Sequence, residues 1–580
     1  MKRMLAIFGV MVSIGWICCV TVYAETIWCN PANIGTQNGK SKATGIRTLW
    51  DAMQQMTPGD TVKIANGDWS RNHPGMTIEG AEHLPAPGIN YDMMSAIEAE
   101  TDWQVKLPAI KDLGTGRSYV RLRGLVVNQE FTTLYGWTNS KIYRCGFLGA
   151  KQDGNVATFA LFKASYNVVE ECIAWGGGRY KFIDYHGNHN IFRRCVARHD
   201  WYISPSWAGQ ECNFRGYGCQ NSAWQNCISI DSDREMYQTP ASKEDADFWI
   251  GDQSGAGGNV ITGCIVLHGM YQGYYLAGPN EKPLSVTLTH SIAVGPSLVG
   301  QEYLTGAVTF GTVDARIENS LFWDYHRGVQ HAISHNKEIG GLVLRNSVFR
   351  NVGKLNAKGL KAQNNLYFEA ASAGYGSGSL ELDPLQNGFS YPCMPDPGSK
   401  AATMGCGPTI LKRIGKPLAA MDEPGWDALT DENLWPFPNE AIIGGLMQQT
   451  VEGVSGIYGF TAGGQTLTSY IWGVFGKTVP PFLTKGVAGN GKVLLQWGRV
   501  APATEKGLTG YRIYEVSGKT PVLLKTLAGK AYDGVLLTGL ENGKRYNLTV
   551  TAVDAEKGES GWVYSIPLQP EANLPEIILK

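Results

Sequence analysis

From residue 142 onward the chain repeats one short pattern: an apolar residue, two variable residues, a small residue, then two or three apolar ones. The units are Ile142-Tyr-Arg-Cys145, Val169-Glu-Glu-Cys172, Phe192-Arg-Arg-Cys195, Trp224-Gln-Asn-Cys227, Ile261-Thr-Gly-Cys264, Leu288-Thr-His-Ser291, Ile317-Glu-Asn-Ser320, Leu344-Arg-Asn-Ser347 and Ala362-Gln-Asn-Asn365. They recur at intervals of roughly 20 to 37 residues, the range of solenoid repeats. No unit is long enough to bury its own apolar face. Stacked with parallel strands about 4.8 Å apart, the units share one continuous core. The recurring Cys, Ser or Asn predicts a column of small side chains inside that coil.

Upstream, Leu49 to Met56 reads as an amphipathic helical turn able to plug the open end of the coil, Pro58-Gly59-Asp60 as a turn, and Thr61 to Ala65 as a strand. Downstream, Trp435-Pro-Phe-Pro and Leu467-Thr-Ser-Tyr-Ile-Trp472 make Asp383 to Val479 too aromatic for a flexible linker. That segment is expected to close the C-terminal end of the coil and dock against it. Beyond it, Leu548, Val550 and Ala552 alternate with polar residues, as a half-buried strand does.

The repeat resembles the right-handed parallel β-helix of pectate-lyase-like proteins. The stretch from Leu49 through Pro58-Gly59-Asp60-Thr61-Val62 to Trp69 is similar to the N-terminal cap of β-helix polysaccharide lyases, notably the alginate and chondroitin lyase group. This resemblance covers Thr48 to Phe368. Val493-Leu-Leu-Gln-Trp497, Gly510-Tyr511-Arg-Ile-Tyr514 and Leu540 to Asp554 resemble a fibronectin type III domain, which implies a core Trp497 and a tyrosine corner at Tyr546. The expected fold class is all-β: a right-handed parallel β-helix solenoid followed by a fibronectin type III β-sandwich. The expected divisions are a leader at 1–24, the helix with its cap at 25–383, a connector at 384–479, the sandwich at 480–570 and a tail at 571–580. Each domain is expected to have its own core.

Composition narrows the function. Lys2 and Arg3, an apolar run from Met4 to Val22, and Tyr23-Ala24 read as a removed signal peptide. The protein is therefore expected to be secreted, periplasmic or on the cell surface, without membrane insertion after cleavage. Fifty Lys and Arg against 51 Asp and Glu give no electrostatic case for nucleic acid. No Gly-rich phosphate loop follows a strand and opens a helix, so no organic cofactor is expected.

Counting from the small residue, positions one and three are mostly apolar, so position four is expected to point outward. His199, Asp231 and His268 hold position four on consecutive units, close enough to shift one another's protonation. The candidate catalytic set is His199, Asp231, His268 and Arg198. Arg179 and Lys181 are candidates for holding sugar carboxylates, and Asp200, Trp201, Tyr202 and Trp207 for walling a sugar site. Asp200, Asp231 and Asp233 form a candidate calcium set, and His199, Asp231 and His268 a candidate zinc set. The alternative is that these are solvated side chains without chemistry.

Two functions stay open: a lyase that cleaves an extracellular acidic polysaccharide by β-elimination, and a non-catalytic glycan-binding or structural protein. Paired aspartates of the glycosidase kind are not evident. Among the cysteines, bridges are expected at Cys212–Cys219 and Cys393–Cys406. Cys145, Cys172, Cys195, Cys227 and Cys264 share one repeat position with parallel side-chain directions, the wrong geometry for a disulfide, and are expected to stay reduced.

Overall fold

The computed structural model of the chain describes residues 24–128, 131–149, 155–199, 211–232, 245–251, 257–277, 285–295, 305–310, 314–325, 327–332, 341–352, 360–369, 376–450, 455–498 and 507–577. Three parallel sheets form a β-helix. Sheet I has thirteen strands from Thr26–Cys29 to Leu360–Gln363, sheet II thirteen from Gly67–Asp68 to Leu380–Glu381, and sheet III ten from Ile78–Glu79 to Arg327–Ala332. One coil runs through Lys141–Tyr143 in sheet I, Gly146–Leu148 in sheet II and Ala157–Phe162 in sheet III before Val168–Glu170 opens the next. The helix Leu49–Gln54, capped by Thr48, packs Leu49, Ala52 and Met53 into the N-terminal end of this core.

The corner between sheets I and II explains the repeated small residue. The residue before it lies in the left-handed region on successive coils, at Arg144, Glu171, Arg194, Asn226, Gly263, His290, Asn319, Asn346 and Asn364. That twist breaks the strand ladder, so the next N–H needs another acceptor. It finds the small side chain one coil on: Cys145 N donates to Cys172 Sγ at 3.4 Å, Ser291 N to Ser320 Oγ at 3.3 Å, and Ser347 N to Asn365 Oδ1 at 2.9 Å. A second ladder, of Ser140, Asn167, Asn190, Ser222 and Asn259, does the same work where sheet III returns to sheet I. Inside, Phe182, Phe214, Phe248 and Tyr274 stack along sheet III with centroids 4.5 to 5.4 Å apart, and Phe159 meets Phe182 edge-on at 5.8 Å.

Positions one and three after the small residue face outward on sheet II, contrary to the sequence expectation. Ile173, Val196, Ile228, Ile265 and Ile292, with Trp175, Ile230, Leu267, Val294 and Trp323, line that outer face and are nonetheless buried. They are apolar because another part of the chain covers them. The segment after Asp383 does not simply close the C-terminal end: it returns along the flank as a strap. Its backbone meets the left-handed corner residues in reverse order, Met404 O at Asn364, Gly405 O at Asn319, Thr409 N at His290, Ile414 N at Asn226 and Ile414 O at Arg194, and then Lys416 O and Trp426 O meet the neighbouring strand residue Arg193. Asp422 and Glu423 reach Tyr91 and Lys141 near the other end.

The C-terminal unit is a sandwich of antiparallel sheets. Phe482–Gly489, Lys492–Gly498 and Gly534–Thr538 form one, and Val522–Ala528, Leu508–Glu515, Tyr546–Asp554, Gly558–Glu559 and Ile566–Leu568 the other. Trp497 and Tyr511 fill its core, and the Tyr546 hydroxyl accepts from Glu541 N. Its apolar core continues into the strap: Phe482 packs on Trp472 with centroids 5.1 Å apart, and the Tyr564 hydroxyl donates to Leu411 O at 2.8 Å.

All ten described cysteines are thiols, so the two expected bridges are not formed. Cys212 lies on the outer side of sheet III with Tyr180 and Ile183, whereas Cys219 lies in the interior core, so their side chains occupy opposite sides of the wall. Cys406 seats on the last coil against Asn364 O, and Cys393 is buried within the strap. Burial pushes the Cys212 and Cys406 thiols up to about 12, which keeps them protonated and unreactive. Thiol titration of denatured, unreduced chain lacking residues 1–24 should therefore find ten thiols; six would restore the two bridges.

Asp184 lies inside the coil, accepting from Ser222 Oγ at 2.6 Å and Asn190 Nδ2 at 2.9 Å. Burial pushes its carboxyl up to about 7. The unfolded chain releases this proton near pH 4, the folded chain only near 7, so the stability it contributes is present below about pH 4 and is lost as pH rises through about 7. Asp184→Asn resembles the protonated form and should flatten that part of the stability–pH curve. Urea midpoints with unchanged slope in the variant would contradict this placement.

Candidate functional site

The sequence-selected column divides in two. Asp231 and His268 end successive strands of sheet II, both with left-handed backbone. The His268 Nδ1 lies 3.4 Å from Asp231 Oδ1 and 2.9 Å from the Tyr470 hydroxyl, which donates to Asp231 Oδ1 at 2.9 Å. The other Asp231 oxygen accepts from Phe460 N at 2.8 Å. Gly459, beside it, has φ +53°, and a Cβ there would stand 2.0 Å from the carboxylate. Arg198 sits between Trp175 and Ile230 on the covered face of sheet II. It donates to Met447 O at 2.6 Å and Gly456 O at 3.2 Å, with the Tyr458 ring 4.1 Å from its guanidinium.

These three residues, expected to be catalytic, therefore clasp the strap. Arg198 is fully buried and Asp231 is 4% exposed, whereas the His268 side chain is 31% exposed at the edge of the strap. Strap carbonyls, an N–H and a hydroxyl satisfy these polar groups. Lys181, expected to bind substrate, is also buried and donates to Gly177 O and Gly178 O, both at 2.9 Å.

His199 goes elsewhere. Its Nε2 lies 3.1 Å from Gly178 O and 3.3 Å from Glu211 Oε2, at the edge where sheet II turns into sheet III. The entry positions of sheet III stack Arg179, Glu211 and Asp245 on consecutive coils: Cys212 N bonds Arg179 O, and Ala246 N bonds Glu211 O. Asp245 Oδ1 accepts from Glu211 N at 2.7 Å. Arg179 is partly exposed, bonds Asn155 Oδ1 at 2.7 Å and lies 4.7 Å from the Tyr180 ring. Burial raises the Tyr180 hydroxyl, and the Arg215 and Arg179 charges pull it part of the way back. The outer face continues with Arg215 held between Tyr217 and Trp249, then Tyr275. A half-buried ladder of Tyr135, Phe162, Tyr185 and Tyr217 runs beside it, with centroids 5.1, 4.4 and 4.9 Å apart.

This juxtaposition of base, carboxylates and cation can transfer protons and pair with an anion. Glu211 and Asp245 were not singled out from the sequence. Each directly precedes a sheet III strand, a position marked by no repeat. Asp200, Trp201, Tyr202, Trp207 and Asp233 lie outside the described residues. Asp231 spends its carboxylate on the strap, and His199 and His268 take different partners. Among the described residues no group of three or more His, Cys, Asp or Glu side chains is arranged to hold a metal.

No protein-family model and no curated protein matches the sequence. Solved structures that align with the chain include a β-1,2-glucanase from Parabacteroides distasonis, at 22% identity and TM-score 0.14 over 16% of this chain and 12% of that one. An alginate lyase from Paenibacillus sp. str. FPU-7 aligns at 12% identity and TM-score 0.31 over 55% and 97%. A rhamnogalacturonan lyase aligns at 14% identity and TM-score 0.32 over 62% and 86%. The chain thus spans about an eighth of the glucanase's length.

If Asp231 clasps the strap, Asp231→Ala leaves the Phe460 N–H and the Tyr470 hydroxyl without their acceptor. The expected loss is about 2–4 kcal/mol of stability, with about 1 kcal/mol for Tyr470→Phe. Equilibrium urea unfolding reads both. Unchanged stability in both variants would return Asp231 to the list of groups held for chemistry.

Proposed function

We propose that the chain is a secreted carbohydrate-active protein that binds an acidic polysaccharide across the outer face of sheet III and cleaves it by β-elimination. The observation that carries this reading is the His199–Glu211 pair at 3.3 Å, stacked beside Arg179 at the entry to that face. β-Elimination needs a base for the C5 hydrogen of a uronate and a cation for the charge that develops on its carboxylate. Glu211, the less buried member of the pair, takes the proton with the buried His199 behind it, and Arg179 faces the carboxylate in place of Arg198 and Lys181. The C5–H and C4–O bonds break, a C4–C5 double bond forms, and the leaving oxygen takes a proton from the protonated His199–Glu211 pair or from water. Asp200, Trp201, Tyr202 and Trp207 remain proposed as walls of this site, and calcium through Asp200 and Asp233 as an accessory charge. The C-terminal sandwich is proposed as a fibronectin type III module that braces the strap.

A second reading is a non-catalytic glycan-binding or structural protein. The ladder from Tyr135 to Tyr217 favours it, because a rigid row of half-buried rings offers a long apolar track without needing any reacting group.

The test is a panel of uronate polysaccharides, with and without calcium, read as ultraviolet absorbance of the unsaturated product. The expected result is product from at least one polymer, with kcat/KM falling about 10²–10⁴-fold in Glu211→Gln. Arg179→Ala should chiefly weaken acidic substrates. Absence of product throughout, with retained binding, would support the non-catalytic reading.

A further inference from the structure

The outer face of sheet III carries a buried cation that its surroundings do not neutralise. Arg215 stands on the strand Cys212–Tyr217 and is 3% exposed. Its guanidinium lies between two rings, 4.9 Å from that of Tyr217 and 4.3 Å from that of Trp249. Among the described residues its hydrogen bonds all leave from Nη1, to Gly216 O at 3.4 Å, Trp249 O at 3.1 Å and Gly251 O at 2.8 Å. These carbonyls are neutral, so they fix the guanidinium without cancelling its charge.

No neighbour among the described residues supplies the anion. The in-register residues on the coils either side are Ile183 and Trp249, both uncharged. Asp184 and Asp247 point into the coil, where Ser222 and Ser229 hold them. Glu211 stands four positions back, about 13 Å along an extended strand, and pairs with His199. Two buried donors meanwhile take no acceptor, Arg215 Nε and the Trp249 indole Nε1. The Tyr180 hydroxyl lies near enough to feel the Arg215 charge. A buried charge and buried N–H groups left unmatched are costly, and each asks for a partner.

We propose that Arg215, with the Tyr180 hydroxyl and the Trp249 indole N–H, is a second carboxylate subsite for an acidic polysaccharide. A guanidinium whose Nη1 is already spent presents its Nε–Nη2 edge, and a planar carboxylate accepts two parallel N–H bonds from that edge. The rings on its flat sides lower the local dielectric and strengthen the pair. The proposal rests on the reading of sheet III as the polysaccharide face, but not on cleavage there. Glu211 and Arg215, about 13 Å apart, lie too far from each other to act on one sugar ring. The carboxylate at Arg215 therefore belongs to a different sugar from the one that meets Glu211, and the face selects polymers in which uronates recur.

Isothermal titration calorimetry on the full chain carrying Glu211→Gln reads binding without turnover. The probes are hexamers of galacturonate, mannuronate, guluronate and glucuronate, their carboxyl-reduced counterparts, and a sulfated neutral hexamer. The expected result is binding of at least one hexuronate, weakened about 10–100-fold by adding Arg215→Gln, the loss of a charged pair. The carboxyl-reduced hexamer should bind equally with and without Arg215→Gln. Tyr180→Phe, expected to weaken the hexuronate about tenfold, carries the test if Arg215→Gln fails to fold. Hexuronate binding unchanged by either variant, an equal loss for the carboxyl-reduced hexamer, preference for the sulfated hexamer, or no hexuronate binding would each overturn the proposal. Arg215-dependent binding by a wild-type chain that yields no unsaturated product would sink cleavage and leave this subsite standing. Product with KM unchanged in Arg215→Gln would do the reverse.

Discussion

The constraint that organises this molecule is that sheet II is apolar on both faces. A parallel sheet of this kind is stable only when both sides are covered. The interior is filled by the coil's own stacked side chains, while the exterior must be covered from outside. The strap supplies that cover, and its length follows from the length of the face. Fully burying one Ile, Val or Leu side chain contributes about 1.5–3 kcal/mol. Sheet II carries a run of them from Ile173 to Val294 and beyond. The strap is thus as much part of the fold as the coil, and the sandwich core that continues from it is tied to the same interface.

The cover also decides where chemistry can be. Arg198, Asp231 and His268 are polar residues on the face that the strap closes, and each is matched by a strap group. Buried charges such as Arg198 and Asp231 add little net stability, and each here is met by a particular strap group. Sheet III has no such cover among the described residues after Asp383. Its entry column of Arg179, Glu211 and Asp245, with His199 turned toward it, is where titratable groups gather away from the strap.

The sequence showed the coil well, because its signal is local and repeated. Cys145 to Asn365 fall in one column as the spacing implies, and Cys172, Ser291, Ser320, Ser347 and Asn365 accept the N–H that a left-handed corner leaves over. The Asn run at 319, 346 and 364 carried the further message that the corner is left-handed, since Asn tolerates that region. The strap was legible only as aromatic and ordered. Its path depends on partners more than 200 positions away, such as Arg193 with Lys416 O, and no periodicity encodes them. For the same reason the apolar positions one and three were assigned to the interior, and position four to solvent. The Glu211 and Asp245 pair was invisible because it becomes a column only after loops of unequal length have been folded away.

The central claim is that strap and coil form one cooperative structure. Native-state hydrogen exchange read by mass spectrometry tests it most directly. The account predicts that amides of Ile414, Phe460 and Tyr470 are protected to the same free energy as those of Ile173, Ile228 and Ile265 in sheet II, and open with them. Fast exchange across the strap while sheet II stays fully protected would contradict it, and would mean that the outer face of sheet II is stable without its cover.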